Sequence, residues 1–158
     1  NRPALIPVGG KLGVTSQAPF GAMNGTVVDT GLFEPGEGPA YVVQPVIVAG
    51  VIIDIVAWRT MHPDRWHLMT GLGWCMGEDA LSLPPGHPVT FHATPLAWLA
   101  SGGDGCCVLD WAAPELRILC GQAELAVTDP ALGDLLRRKL AQTIPRIISK
   151  GMRHEWAG

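Results

Sequence analysis

Hydrophobic and β-branched residues are concentrated in the first half of the chain. The longest apolar run covers residues 41–58 and consists largely of valine and isoleucine, which favour strands. Because the run is nearly continuous, it predicts one central strand covered on both faces, with Gly50 at a bulge or bend. A preceding strand is predicted over residues 26–33, and the Pro- and Gly-rich segment 34–39 predicts a turn.

Strand-like and helix-like patterns alternate after residue 60. The predicted strands cover residues 65–70, 89–93, 106–111 and 124–128; the predicted helices cover 71–83, 96–101 and 131–142, with a helical turn at 112–116. Thr94-Pro95 and Asp129-Pro130 each place a capping side chain before a proline at the first helical position. The alternation predicts an α/β or α+β fold, a single domain with a mixed sheet and short flanking helices.

Composition divides the chain into three parts. Residues 1–25 are rich in Gly, Pro and Ala without periodicity and predict an extended N-terminal arm. Residues 26–142 form the predicted single α/β-type domain, and residues 143–158 the basic C-terminal tail. With 158 residues, 47% of them hydrophobic and 16% charged, the chain can bury a core and does not have the composition of a disordered protein.

The net charge of −3 conceals an uneven distribution. Residues 1–134 carry five Lys or Arg against 13 acids, whereas residues 135–158 carry six against one. The six C-terminal cations are Arg137, Arg138, Lys139, Arg146, Lys150 and Arg153. Isoleucines are interleaved with them, so the segment predicts binding to a protein partner or to a second copy of the chain. Binding to nucleic acid and a simple solvated tail are the alternatives.

Neither long uncharged stretch predicts a membrane span. Residues 38–53 are only 16 residues long, against the roughly 20 that a spanning helix needs. Residues 80–103 contain four prolines, which a continuous helix excludes.

The four cysteines form no C-x-x-C pair and lie among apolar residues. They predict a reduced, cytoplasmic protein in which cysteine serves as a small packing residue.

Two acids are weak catalytic candidates. Asp54 interrupts an apolar run, and Asp110 ends a predicted strand, where ligands bind in open α/β sheets. Together they suggest metal-binding or general-base carboxylates. The alternative is a structural role for both acids. Asp110 would cap the residues that follow its strand, and Asp54 would lie at a bulge or an edge. No nucleotide-binding or catalytic signature is present. The sequence therefore leaves open whether the protein is an enzyme and whether it uses a cofactor.

Histidine and tryptophan give weaker signals. A composite zinc site from His62, His67, His92 and a cysteine lacks any recognised ligand spacing, so we predict no metal site. Trp58, Trp66 and Trp74 are spaced by eight residues. Such rings are most often core, although the arginines beside two of them leave a nucleotide or partner surface as the alternative.

Two stretches carry a resemblance to a known group. The first is Ile55-Val56-Ala57-Trp58 followed by residues 65–71, and the second runs from Thr94-Pro95-Leu96-Ala97-Trp98-Leu99 to Val108-Leu109-Asp110-Trp111. Together they resemble uncharacterised prophage-type proteins over about residues 50–140. The resemblance implies a mobile-element context and assigns no residue roles. We therefore expect a non-enzymatic accessory or interaction domain; the alternative is a small metal-dependent enzyme.

Overall fold

A computed structural model describes residues 18–82, 88–122, 124–145 and 147. Within these residues the chain forms eight strands, two α-helices and two 3₁₀ helices. The strands are β1 Gly21–Val27, β2 Phe33–Val48, β3 Val51–Arg59, β4 His62–Leu68, β5 Cys75–Met76, β6 Val89–Phe91, β7 Cys107–Val108 and β8 Leu125–Val127. The α-helices are α1 Pro95–Ala100 and α2 Pro130–Thr143, and the 3₁₀ helices are Glu78–Ser82 and Pro114–Gly121.

The first four strands form one antiparallel sheet in chain order, β1-β2-β3-β4. Two small sheets lie elsewhere in the described residues: β5 pairs with β7 antiparallel, and β6 pairs with β8 parallel. The strand-rich first half and the helix-containing second half make the fold α+β, the second of the two predicted classes. Mixed pairing with short flanking helices is as predicted.

The run at residues 41–58 is a hairpin, so the prediction of one central strand is wrong. β2 and β3 pair antiparallel and are joined by a two-residue turn at Ala49 and Gly50. Both turn residues have positive φ, 49° and 78°, which suits the two-residue turns that match strand twist. The carboxylate oxygens of Asp79 accept hydrogen bonds from the Ala49 N–H at 3.1 and 3.0 Å and hold this turn in place.

Three further boundaries differ from the prediction. The chain reverses at residues 28–32, around Gly31 with φ 83°, so the strand predicted over 26–33 contains a turn. Residues 34–39 lie within β2, opposite a register shift between Asn24 and Gly25. β1 begins at Gly21, so the last residues assigned to the N-terminal arm belong to the sheet. Residues 1–17 of that arm lie outside the described residues.

The helix predicted over residues 71–83 is also wrong. This segment contains β5 and the first 3₁₀ helix. Gly71 and Gly77 adopt φ values of 78° and 72°, which interrupt a right-handed helix. Leu72, which lies at helical spacing from Cys75 and Met76, is 71% exposed while both of those residues are buried. The apolar spacing was ambiguous because short runs fit helix and strand alike.

Both capped helices form where the sequence places them. The Thr94 hydroxyl accepts a hydrogen bond from the Ala97 N–H at 3.0 Å, and Asp129 Oδ1 accepts one from the Ala131 N–H at 2.9 Å. A proline follows each cap at the start of the helix. In α2, Leu132 and Leu136 are buried in the main apolar cluster, with Leu140 packed against it, as the predicted apolar face requires.

The four-stranded sheet is covered on both faces around β3. Val56 and Ala57 are adjacent, point to opposite faces and are both fully buried. Val56 packs with Val46 and Leu68 against residues of β5 and β7, while Ala57 packs on the other face with Phe33 and Tyr41. The prediction of two-sided burial therefore holds for the second half of β3, whereas Val51 and Ile52 at its start are exposed.

Candidate functional site

Asp54 lies in β3 and is buried, with only 3% of its surface exposed. Its Oδ1 accepts hydrogen bonds from the N–H groups of Ile55, Met69 and Thr70 at 2.8, 3.1 and 2.9 Å. Its Oδ2 accepts from Leu72 and Gly73, both at 2.9 Å. Five backbone donors therefore surround one carboxylate and connect β3 to the segment that follows β4.

The hydrogen bonds decide the charge state of Asp54. Burial raises its pKa, but the backbone N–H groups of Gly73, Thr70 and Ile55 lower it by more, so the pKa lies below the ordinary aspartate value. The acid is therefore ionised at neutral pH and already fully hydrogen-bonded. A general base needs a lone pair directed at substrate, so this geometry makes Asp54 a structural residue rather than a catalytic one.

Asp110 is half-buried and follows β7. Its Oδ1 accepts a hydrogen bond from the Ala112 N–H at 2.9 Å, and its own N–H lies 3.2 Å from the Trp74 carbonyl oxygen. This local turn is the structural role that the sequence offered for a strand-end acid. Asp54 and Asp110 bind the backbone of different segments, and no hydrogen bond between described residues joins them to a common site.

The histidines contact separate parts of the fold. His67 Nδ1 lies 3.1 Å from the Gly31 carbonyl oxygen, and His92 Nε2 donates to the Asp104 carbonyl oxygen at 2.8 Å. His62 is exposed at the start of β4. Across the part of the chain that the structure describes, no three His, Cys, Asp or Glu side chains are grouped to hold a metal ion.

Three of the four cysteines are buried together at β5 and β7. Cys75, Cys106 and Cys107 are all fully buried, whereas Cys120 is exposed. The hydrogen bond with Cys106 and burial raise the pKa of the Cys75 thiol, and burial raises the pKa of Cys107 to about 12. Protonated thiols are poor nucleophiles, so Cys75 and Cys107 are packing residues, as the sequence indicated, and Cys106 is buried beside them.

Trp58 and Trp74 are core residues and Trp66 is half-buried against an apolar cluster, so these three rings form no exposed stacking surface. Trp58 Nε1 donates to the side-chain oxygen of buried Gln44 at 2.8 Å, and Trp66 Nε1 donates to the Leu109 carbonyl oxygen at 3.0 Å. Trp74 is buried, and its Nε1 has no hydrogen-bond partner among the described residues. The alternative of a nucleotide surface built on these rings therefore has no geometric support.

Three of the six C-terminal cations lie in α2. Arg137 forms an ion pair with Asp134 at 2.9 Å on the outer face of α2, where both side chains are more than three-quarters exposed. Arg138 is also exposed and Lys139 half-buried. Arg146, Lys150 and Arg153 lie outside the described residues. The structure therefore locates only Arg137, Arg138 and Lys139 of the six C-terminal cations.

Two exposed isoleucines follow α2, and a third lies on the second 3₁₀ helix, which packs against α2. Ile144 and Ile147 follow α2 and are 65% and 92% exposed. Ile118 of the second 3₁₀ helix is 44% exposed, and the Cys120 sulfur lies 3.3 Å from the Thr143 hydroxyl, which joins that helix to the end of α2. We call Arg137, Arg138, Ile118, Ile144 and Ile147 the α2 patch.

A second surface feature was missed at the sequence level. A cleft of about 420 Å³ lies between β2, β5 and the loop at residues 102–105; we call it the glycine-loop cleft. Its lining includes the apolar residues Ile47, Met76 and Trp98 and the acids Asp79 and Asp104. The sequence signal was the Gly102-Gly103-Asp104-Gly105 run, which predicts only a helix stop and a turn.

No protein-family model, no curated protein and no solved structure matches the chain. Among the residues that the structure describes, no helix is long and apolar enough to cross a membrane.

Proposed function

We propose that the chain is a non-enzymatic interaction domain that self-associates through the α2 patch. The observation that carries the proposal is the exposure of Ile144 and Ile147 directly after α2, the helix that carries the exposed Arg137 and Arg138. Large apolar side chains next to arginine are typical of protein interfaces, where arginine is enriched and lysine depleted. A solvated helix end does not need two neighbouring exposed isoleucines.

Charge complementarity favours a second copy of the chain as the partner. Residues 1–134 carry 13 acids against five Lys or Arg, so most of the molecule presents an excess of negative charge. The C-terminal 24 residues carry the opposite charge. The basic α2 patch of one copy would therefore meet an acidic surface of another, in a head-to-tail contact.

The metal-dependent enzyme is the less favoured alternative. It requires Asp54 as a free carboxylate, and five backbone N–H groups occupy the oxygens of Asp54.

Nucleic acid is the competing partner for the basic residues, and a binding experiment with labelled DNA and RNA separates it from self-association. A cytoplasmic location and a prophage context stay predictions.

Sedimentation velocity over a range of protein concentrations tests the proposal. We expect association at low ionic strength and a monomer at about 500 mM salt, because charge contacts at exposed sites are screened. Arg137→Glu/Arg138→Glu should abolish association, and Ile144→Ser/Ile147→Ser should weaken it. Arg65→Glu, an exposed cation on β4, is the matched control and should associate like the wild type.

Two results would overturn self-association: a monomer at every concentration in low salt, or unchanged association of the double arginine variant. Fluorescence anisotropy with labelled DNA and RNA supplies the competing outcome. Binding whose affinity falls steeply with salt, and which Arg137→Glu/Arg138→Glu weakens, would assign the patch to nucleic acid instead.

A further inference from the structure

We infer that the glycine-loop cleft binds an organic cation, an ammonium or guanidinium group carried on an apolar stem. The cleft volume of about 420 Å³ fits a small ligand, since ligand sites typically measure about 300–1,000 Å³. Such sites combine apolar walls with a few polar groups that orient the ligand. The inference concerns a different surface from the α2 patch and does not depend on it.

The walls of the cleft are apolar and come from separate parts of the chain. Pro45 and Ile47 of β2 line one side, Met76 of β5 another, and Trp98 of α1 a third. The Trp98 indole is fixed, because its Nε1 donates to the Gly105 carbonyl oxygen at 3.0 Å. An apolar stem would therefore meet a preformed surface and lose little free energy to side-chain ordering.

The charges in the cleft are all of one sign. Asp79 and Asp104 line it, and no Lys, Arg or His side chain of the described residues does so. The Asp79 carboxylate is fixed by the Ala49 N–H, while the Asp104 side chain accepts no hydrogen bond from the described residues. Two carboxylates beside an apolar wall disfavour anions and attract a cation.

The backbone holds Asp104 in position. His92 Nε2 donates to its carbonyl oxygen at 2.8 Å, and its N–H donates to the Ser101 hydroxyl at 3.2 Å. Gly103 also packs on the Trp98 ring, since a methyl group built on it would lie 3.3 Å from that ring. The Asp104 backbone and the Trp98 indole of α1 are thus held in position, and we assign the free Asp104 carboxylate as the main partner of the cation.

Titration of the ¹⁵N-labelled full chain with n-pentylamine, followed in ¹H–¹⁵N spectra, tests the inference. We expect saturable shifts of the Trp98 indole N–H and of the Gly102, Gly103 and Gly105 amides. The neutral isostere n-pentanol should give much weaker shifts. Agmatine supplies the guanidinium form, and Nα-acetyl-lysine amide distinguishes a peptide side chain from a free amine as the natural source.

Asp104→Asn should weaken pentylamine binding about three- to fivefold, the range expected when one exposed charge pair is lost. Asp64→Asn, at an exposed acid of β4, is the matched control and should bind like the wild type. Equal binding of pentanol and pentylamine would overturn the inference without any variant. Absence of saturable shifts at these reporters, or unchanged affinity of Asp104→Asn, would overturn it as well.

Discussion

Gly73 and Asp54 are in direct contact although 19 residues separate them. The Gly73 N–H donates to Asp54 Oδ2 at 2.9 Å, and a methyl group built on Gly73 would lie 3.0 Å from the Asp54 Cβ. The close approach of the two backbones lets one carboxylate bind both ends of residues 69–73. Asp54 thus supplies the acceptors for the N–H groups of Thr70, Leu72 and Gly73, while Met69 also donates to the Ile55 carbonyl oxygen of β3.

Replacing Asp54 by asparagine should destabilise the fold. The amide nitrogen of asparagine cannot accept hydrogen bonds, so the part-buried Leu72 N–H and the buried Gly73 N–H lose their acceptor. We expect the free energy of unfolding to fall by about 2–4 kcal/mol. Urea denaturation followed by tryptophan fluorescence measures the change.

Asp64→Asn is the control for Asp54→Asn, because Asp64 lies exposed on β4. It should change the free energy of unfolding by less than about 0.5 kcal/mol. Equal stability of the Asp54→Asn variant and the wild type would show that the backbone donors find other acceptors, and would remove the structural assignment of Asp54.

The stability difference between wild type and Asp54→Asn should depend on pH. Hydrogen bonds hold the pKa of Asp54 below its ordinary value. The contribution of the ionised carboxylate is therefore complete above the unfolded pKa of about 3.9, and it is lost as the pH falls through the folded pKa. Urea midpoints measured from pH 7 down to the acid limit should converge for the two proteins. A difference that stays constant into the acid range would contradict the lowered pKa.

Two glycines with the same φ should respond differently to alanine. Gly102 and Gly105 both have φ 77°, but a methyl group on Gly102 meets open space, whereas one on Gly105 overlaps the Thr90 carbonyl oxygen. Gly102→Ala should therefore lose only about 1 kcal/mol through backbone strain. Gly105→Ala should lose about 3 kcal/mol or more, because β6 must also move away. Thermal unfolding by circular dichroism compares the pair, and similar losses would refute the close packing of the loop on β6.

Of the four thiols, one should react with a thiol reagent in the native protein and three should not. Cys120 is exposed, whereas Cys75, Cys106 and Cys107 are buried. Burial also raises the pKa of Cys107 to about 12, so almost no thiolate forms at pH 8. Ellman's reagent should modify one thiol rapidly in the native protein and four after denaturation. Cys120→Ser is the control and should remove the rapid phase; rapid reaction of a second thiol would show that the β5–β7 region opens.

The sequence was sufficient to predict those features that depend on contacts between residues close together in the chain. Thr94 and Asp129 cap helices within three residues of themselves, and the apolar face of α2 follows from its own spacing. The hairpin of β2 and β3 was harder, because an alanine occupies one of its positive-φ turn positions. The distant Asp79 carboxylate supports that turn, and a sequence pattern contains no signal for such a contact.

The sequence by itself determined that strands and short helices are mixed in one fold, the two helix caps, the uneven charge and the lack of a known catalytic spacing. Only the tertiary structure decided what the acids do. Asp54 acquires five backbone donors from segments up to 19 residues away, and Asp79 meets Ala49 across 30 residues. The glycine-loop cleft likewise joins β2, β5 and α1. Such contacts depend on chain reversals and close glycine packing, and hydrophobic periodicity does not encode which segments meet.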